Sequence, residues 1–130
     1  GGYPELVAAL ADFDYESYVD KTAIYFGYLK IKIPENIFDI ENLIAEFGKD
    51  IDVELLANAE GIGLLYKTPN HFKETITRLS SQGVQFTLCA NSLKQQNLTK
   101  EFFLDMATVV PSGVGELVRK QSAGWAYIRP

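Results

Sequence analysis

Apolar and polar residues follow two different periods along the 130-residue chain. An apolar stripe with helical spacing runs from Ile37 to Phe47, begins after Pro34 and stops at Gly48. Short runs rich in apolar and β-branched residues, which are typical of strands, lie on either side of this stripe. Segments of the two kinds alternate along the chain, and this alternation indicates right-handed βαβ crossovers.

The pattern predicts five strands connected by helices. The strands are expected at Ala23–Ile33, Ile51–Ala57, Val84–Leu88, Ala107–Val110 and Trp125–Ile128. Helices are expected at Pro4–Phe13, from Pro34 to Gly48, from a Thr68-Pro69 start to Gly83, in a short piece at Thr99–Asp105, and from a Ser112 cap to Gly124. We therefore predict an α/β fold of three α/β/α layers with a mainly parallel five-stranded sheet. Residues 1–130 would form a single domain, with residues 3–21 as an N-terminal helical extension.

Composition narrows the class of protein. The chain is 47% hydrophobic and 22% charged, which is typical of a globular domain with a real core. It contains no apolar run of transmembrane length and no recognisable secretory signal, so we expect a soluble, cytoplasmic protein. The opening Gly1-Gly2 is typical of what tag removal leaves behind, so the question whether a natural leader was removed before Gly1 stays open.

The charge of the chain also limits its partners. A net charge of −5 argues against nucleic acid, because phosphate contacts require clustered Lys and Arg. Residues 1–60 carry 13 acidic and 4 basic residues, whereas residues 61–130 carry 4 acidic and 8 basic residues. We therefore expect an anion to be better tolerated in the second half of the chain.

The only cysteine, Cys89, directly follows the predicted third strand and is the last residue of its apolar run. Ligands of an open parallel sheet collect beyond the carboxyl ends of its strands. If a helix begins at Asn91 or Ser92, its free backbone N–H groups and dipole favour the thiolate form of Cys89. A free cysteine, however, is also among the most buried residue types and packs as a small apolar side chain. The residues alone leave both interpretations open.

Two other segments end at the same edge of the predicted sheet. The turn from Asn58 to Gly63 contains Gly61, and the segment from Pro111 to Gly115 contains Ser112 and Gly113. A helix is predicted to begin in the segment from Pro111 to Gly115, and backbone N–H groups at a helix start bind sulfate, persulfide or phosphate. Gly and Ser also serve simply as turn and cap residues. With one His and one Cys the usual zinc ligand sets are absent from a monomer, so no metal and no cofactor is predicted.

Three stretches of the chain resemble the DsrE/DsrF-like family of small α/β proteins. They are VVPSGVGELVRKQSAGWAYIRP, CANSL and ANAEGIGLL, and the resemblance covers about residues 22 to 130. It implies a parallel-sheet fold and assembly into trimers or hexamers. It also implies, for the members that carry sulfur, a cysteine that holds it as a persulfide. Cys89 falls on that cysteine, and the residues that match other recurrent positions, with a role in shaping the pocket, are Gly61, Asn91, Ser112 and Gly113.

Two hypotheses for the function follow. In the first, the protein is a sulfur (persulfide) carrier or transfer protein of sulfurtransferase type. Cys89 takes sulfur from a donor protein or small thiol and passes it to an acceptor, and the backbone around Ser92 and Ser112 stabilises the anionic sulfur. In the second, a non-enzymatic oligomeric module binds a small anionic ligand at the strand ends and Cys89 only packs. Neither hypothesis involves nucleic acid or a membrane.

Overall fold

The structure is a computed structural model that describes residues 22–27 and 33–128. The described strands are β1 (Thr22–Gly27), β2 (Asp52–Ala57), β3 (Gln85–Cys89), β4 (Thr108–Val110) and β5 (Ala126–Ile128). The described α-helices are α1 (Ile33–Phe47), α2 (Lys73–Ser81), α3 (Ala90–Gln95) and α4 (Gly113–Ser122). Short 3-10 segments lie at Gly48–Asp50, Ala59–Leu65 and Lys100–Phe102. The last of these stands within the short helical piece predicted at Thr99–Asp105.

The described strands form one sheet in the order β4-β3-β2-β1-β5, and every neighbouring pair is parallel. β1, β2 and β3 have five or six residues each, whereas the edge strands β4 and β5 have three residues each. The predicted α/β fold with a parallel sheet is therefore confirmed. Three longer strands form the centre of the sheet, and two three-residue strands form its edges.

Both faces of the sheet carry buried side chains, because successive residues of a strand point to opposite faces. On one face, Leu55 of β2 packs in a cluster that includes Ile40 of α1 and Leu79 of α2. On the other face, Leu56 packs in a separate cluster with Leu117 of α4 and others. Helices therefore cover the sheet from both sides, and α4 defines the face on which the polar residues described below lie.

The helices α1 and α4 stop where the sequence predicts. Gly48 and Gly124 follow them with φ of +59° and +100°, backbone conformations that glycine adopts without steric cost. Ser112 caps the start of α4, as predicted, because its Oγ accepts a hydrogen bond from the backbone N–H of Gly115 at 3.2 Å. None of the described helices is long and apolar enough to cross a membrane.

The predicted start of α2 is wrong. The helix begins at Lys73 and not at Thr68-Pro69. Asn70 explains the difference, because its Nδ2 donates to the carbonyl oxygens of Leu64 and Tyr66 at 2.8 and 2.7 Å. Its Oδ1 also accepts the backbone N–H of Phe72 at 2.8 Å. These bonds hold residues 66–72 in a turn and delay the helix by one turn.

The predicted end of the first strand is also wrong. Ile33, predicted as its last residue, is the first residue of α1, since Pro34 is accommodated in the first turn of a helix. Residues 28–32 lie outside the described part of the chain. The predicted helix Pro4–Phe13 and the extension 3–21 lie outside it too, so they and the single-domain assignment stay predictions.

Candidate functional site

Cys89 is the last residue of β3, and α3 begins at the next residue. Its side chain points to the α4 face of the sheet, together with Thr87, while Phe86 and Leu88 pack in the cluster on the opposite face. Cys89 is buried, with 4% of its surface exposed. The sulfur therefore lies at the carboxyl edge of the sheet but is largely shielded from bulk water.

The start of α4 contacts the sulfur. β4 pairs with β3 in parallel, Cys89 facing Val110, so the helix that follows β4 begins beside the end of β3. The backbone N–H of Gly113, the first residue of α4, donates a hydrogen bond to Cys89 Sγ with an N···S distance of 3.3 Å. The first N–H groups of a helix have no partner within the helix, and one of these free donors is thus directed at the thiol.

Ser92 connects the same edge to the end of β2. Its Oγ donates to Asn58 Oδ1 at 2.7 Å and accepts the backbone N–H of Ala59 at 2.8 Å. Asn58 directly follows β2, the neighbour of β3 in the sheet. Ser92 is 3% exposed and Asn58 is half-buried. The turn after β2 and the first turn of α3 are therefore joined next to Cys89.

Two opposing effects set the pKa of the Cys89 thiol. Burial raises it, because the charged thiolate is poorly solvated inside the protein. The hydroxyl of Ser92 and the backbone N–H groups of Ser92, Gly113 and Asn91 lower it, because they donate to the charged form. The donors together outweigh burial, and the pKa lies below its ordinary value. The arrangement favours a nucleophilic thiolate.

The six site residues predicted from the sequence do not all contact the sulfur of Cys89. Cys89, Ser92, Asn91 and Gly113 come together at one point of the sheet edge. Ser112 directly precedes Gly113 and caps the start of α4. Gly61 lies in the turn after β2. Its backbone N–H donates to the carbonyl oxygen of Asn58 at 2.9 Å and closes that turn.

Asn58 is not one of the six site residues predicted from the sequence. Its side chain contacts Ser92, and a methyl group placed on Gly113 would lie 3.5 Å from both Asn58 Oδ1 and Cys89 Cβ. Asn58, Cys89 and Gly113 thus surround a common point. The position of Asn58 in the sequence indicates its place, since a polar residue directly after a central strand of a parallel sheet lies at the ligand-binding edge.

A second polar cluster on the same face of the sheet is not predicted from the sequence either. Glu54, in the middle of β2, is fully buried, and its Oε2 accepts the Thr87 hydroxyl at 2.9 Å. Its Oε1 lies 3.4 Å from Lys120 Nζ of α4. Burial, together with a hydrogen bond and like charge from Glu116, raises the pKa of Glu54 to about 7, although Thr87 and Lys120 act in the opposite direction. This carboxyl therefore binds its proton more tightly than an exposed glutamate does.

A metal ion has no evident place in the described part of the chain. No group of three or more His, Cys, Asp or Glu residues within residues 22–27 and 33–128 is arranged to hold one. At the carboxyl edge of the sheet, the Cys89 thiol is surrounded by hydrogen-bond donors.

Comparison with known proteins identifies the class to which this fold and site belong. The model of the DsrE/DsrF-like family matches residues 32–130, and the chain belongs to that family. No curated protein matches the chain.

Two solved structures show the same fold. A protein of unknown function, MTH1491 from Methanobacterium thermoautotrophicum, superimposes with a TM-score of 0.80 at 30% sequence identity, over 85% of this chain and 100% of that one. The ychN protein from E. coli superimposes with a TM-score of 0.69 at 12% identity, over 86% of this chain and 100% of that one. The second likeness concerns the fold alone.

Proposed function

We propose that this protein is a sulfur carrier that holds sulfur as a persulfide on Cys89. The observation that carries the proposal is the hydrogen bond from Gly113 N–H to Cys89 Sγ, at the carboxyl edge of the sheet. A backbone donor at this position stabilises an anionic sulfur. Membership of the DsrE/DsrF-like family supports the proposal, since sulfur relay is the activity that the resemblance implies.

The reaction needs one cysteine and no oxidant. The Cys89 thiolate attacks the outer sulfur of a donor persulfide, R–S–S–H. A new S–S bond forms on Cys89 while the donor S–S bond breaks, the donor leaves as the thiolate R–S⁻, and the proton stays on the transferred sulfur. In the second step an acceptor thiolate attacks that outer sulfur, and Cys89 leaves as a thiolate. The donor and the acceptor are other proteins or small thiols, because this chain has no second cysteine.

Sulfur loading tests the proposal. The full chain is mixed with glutathione persulfide, and its intact mass is measured before and after addition of a thiol acceptor. We expect the mass to rise by one sulfur atom and to return to its original value with the acceptor. The matched control is Cys89→Ser, which keeps the size of the side chain and removes the nucleophile. The proposal fails if the wild type gains no sulfur or if the control gains as much.

A second candidate function is supported by the burial of Cys89. With only 4% of its surface exposed, the cysteine also fits a packing role in a non-enzymatic module. The start of α4 at Gly113 would then hold a small anion. Sulfate or phosphate would raise the melting temperature equally in the wild type and in Cys89→Ser, and no sulfur would load. Loading of sulfur onto the wild type alone contradicts this second function.

We also propose that the chain assembles into a homo-oligomer, a trimer or hexamer as the family resemblance implies. Two exposed apolar side chains on either side of the start of α4 in the sequence support the proposal. Val109 of the edge strand β4 is 41% exposed, and Val114 in the first turn of α4 is 67% exposed. A neighbouring copy would remove this apolar area from water. Light scattering during gel filtration measures the mass in solution, and a monomer would contradict the proposal.

A further inference from the structure

The hydroxyl group of Ser92 has a single proton to donate, and the contacts of its oxygen limit where that proton can go. The oxygen is held in place because it accepts the backbone N–H of Ala59 at 2.8 Å. The proton is then donated to Asn58 Oδ1 at 2.7 Å, a short and well-formed bond for two neutral groups. The hydroxyl is buried, so its proton has few other partners.

The sulfur of Cys89 lies on the same side of this hydroxyl group, because Cys89 directly precedes α3 and Ser92 lies in the first turn of that helix. The Ser92 hydroxyl is among the groups that stabilise the charged form of Cys89. Because a hydroxyl has one proton, it donates either to Asn58 or to the sulfur at a given moment. A bond to a charged sulfur is stronger than a bond to a neutral amide, so ionisation of Cys89 favours transfer of the bond to the sulfur.

We propose that Asn58 is a positioning residue that competes with the Cys89 sulfur for the hydroxyl proton of Ser92. Asn58 Oδ1 is well placed for this competition, since it and Cys89 flank the same glycine, Gly113. When the sulfur is a neutral thiol, Asn58 holds the proton. When the sulfur is a thiolate or an anionic persulfide, Ser92 turns to the sulfur and Asn58 loses its donor. Asn58 therefore opposes ionisation of Cys89 and limits how tightly an anionic persulfide is held.

This role rests on the proposed function of Cys89, but its test does not require sulfur transfer. The pKa of the thiol is read from the pH dependence of alkylation by iodoacetamide, in the full chain, with Cys89→Ser as the blank. The test variant is Asn58→Leu, which has nearly the shape of asparagine and no acceptor. The charged side chains packed around this site stay unchanged in every variant: Lys94 on α3, Glu116, Arg119 and Lys120 on α4, and Glu54 on β2.

We expect Asn58→Leu to lower the thiol pKa by about half a unit, which speeds alkylation below the pKa about threefold. In a Ser92→Ala background the same change should have no effect, because Asn58 acts only through Ser92. Asn58→Ala is the second variant, and the melting temperature shows which of the two remains folded. The inference is overturned by an unchanged or raised pKa in the folded variant. It is equally overturned by a decrease that persists in the Ser92→Ala background.

The two proposals fail in different ways. If Cys89 gains no sulfur from glutathione persulfide but Asn58→Leu still lowers the thiol pKa, the sulfur-carrier function is wrong and the role of Asn58 stands. If sulfur loads normally and the pKa does not respond to Asn58, the carrier function stands and the competition is wrong.

Discussion

Cys89 and Glu54 are ionisable residues buried on the same face of the same sheet, yet their pKa values move in opposite directions. The pKa of Cys89 is lowered and that of Glu54 is raised to about 7. The difference lies in their positions along the strands. Glu54 is in the middle of β2, where the backbone is paired with β1 on one side and β3 on the other. Cys89 is at the end of β3, where the first N–H groups of α3 and α4 are free to donate.

The comparison shows what a buried charge needs in this fold. In the middle of the sheet only side chains are available, and those of Thr87 and Lys120 do not offset the burial of Glu54 and the nearness of Glu116. At the carboxyl edge, backbone donors are directed at the sulfur and offset its burial. The same face thus has one position that disfavours a charge and another that favours it.

The largest expected effect concerns Glu54. Its pKa is about 7 when folded and 4.5 otherwise, so the folded protein binds the proton more tightly. Its contribution to stability is present below pH 4.5 and is lost as the pH rises to about 7. The loss is on the order of 3 kcal/mol. Glu54→Gln should remove this pH dependence, which urea unfolding at both ends of the range measures.

The control for this change is Glu46→Gln, which alters an exposed carboxyl on α1. It should keep the pH dependence of the wild type. If Glu54→Gln keeps it as well, burial of Glu54 does not disfavour its charge, and the contrast between the two positions disappears.

The next largest effect concerns Ser92. Ser92→Ala removes the hydroxyl that stabilises the thiolate, so the thiol pKa should rise by about one unit and alkylation at neutral pH should slow about tenfold. The rate of reaction with iodoacetamide measures this. The matched control is Ser122→Ala at the exposed end of α4, which should react like the wild type. Equal rates in both variants would remove Ser92 from the stabilisation of Cys89.

Thr87 tests whether the two positions are independent, because it lies between Glu54 and Cys89 on one face of the sheet. Thr87→Val removes a bond that lowers the pKa of Glu54, so that pKa should rise above about 7. Unfolding should become easier by about 1 kcal/mol. The alkylation rate of Cys89 should stay the same. A slowing comparable to that of Ser92→Ala would show that the two clusters form one network.

The smallest effect is expected at Gly113. Gly113→Ala keeps the backbone N–H that donates to Cys89, and the added methyl group meets Asn58 Oδ1 and Cys89 Cβ at 3.5 Å, an ordinary contact distance. The thiol pKa should change by less than about 0.3 units. Alkylation at several pH values measures this change. A larger shift would mean that the bare glycine, and not its N–H, controls the charge on the sulfur.

Much of the fold could be predicted from the sequence because local signals and tertiary structure agree. The apolar stripe of α1, the Ser112 cap and the glycine after α4 each have a physical cause that acts within a few residues. The start of α2 could not be predicted, since Asn70 bonds backward to Leu64 and Tyr66 and overrides the signal of Thr68-Pro69.

The candidate site could be predicted where position along a strand was sufficient. Cys89, Ser92 and Gly113 follow from the rule that strand ends and helix starts meet at one edge of a parallel sheet. The position of Asn58 directly after β2 follows from the same rule, but its contact with Ser92, 34 residues away in the sequence, is not indicated by any local pattern. Glu54 stands in an apolar run, and only the structure shows that Thr87 and Lys120 lie beside it.

The pH dependence of Cys89 alkylation in the unmodified full chain shows directly whether the hydrogen-bond donors at the sheet edge outweigh burial of the thiol. We expect the half-maximal rate at a lower pH than for an unperturbed cysteine thiol, whose pKa is 9.0. Cys89→Ser provides the blank. A half-maximal rate at or above the pH of the unperturbed thiol would contradict the account, because burial would then outweigh the donors of Ser92, Gly113 and Asn91.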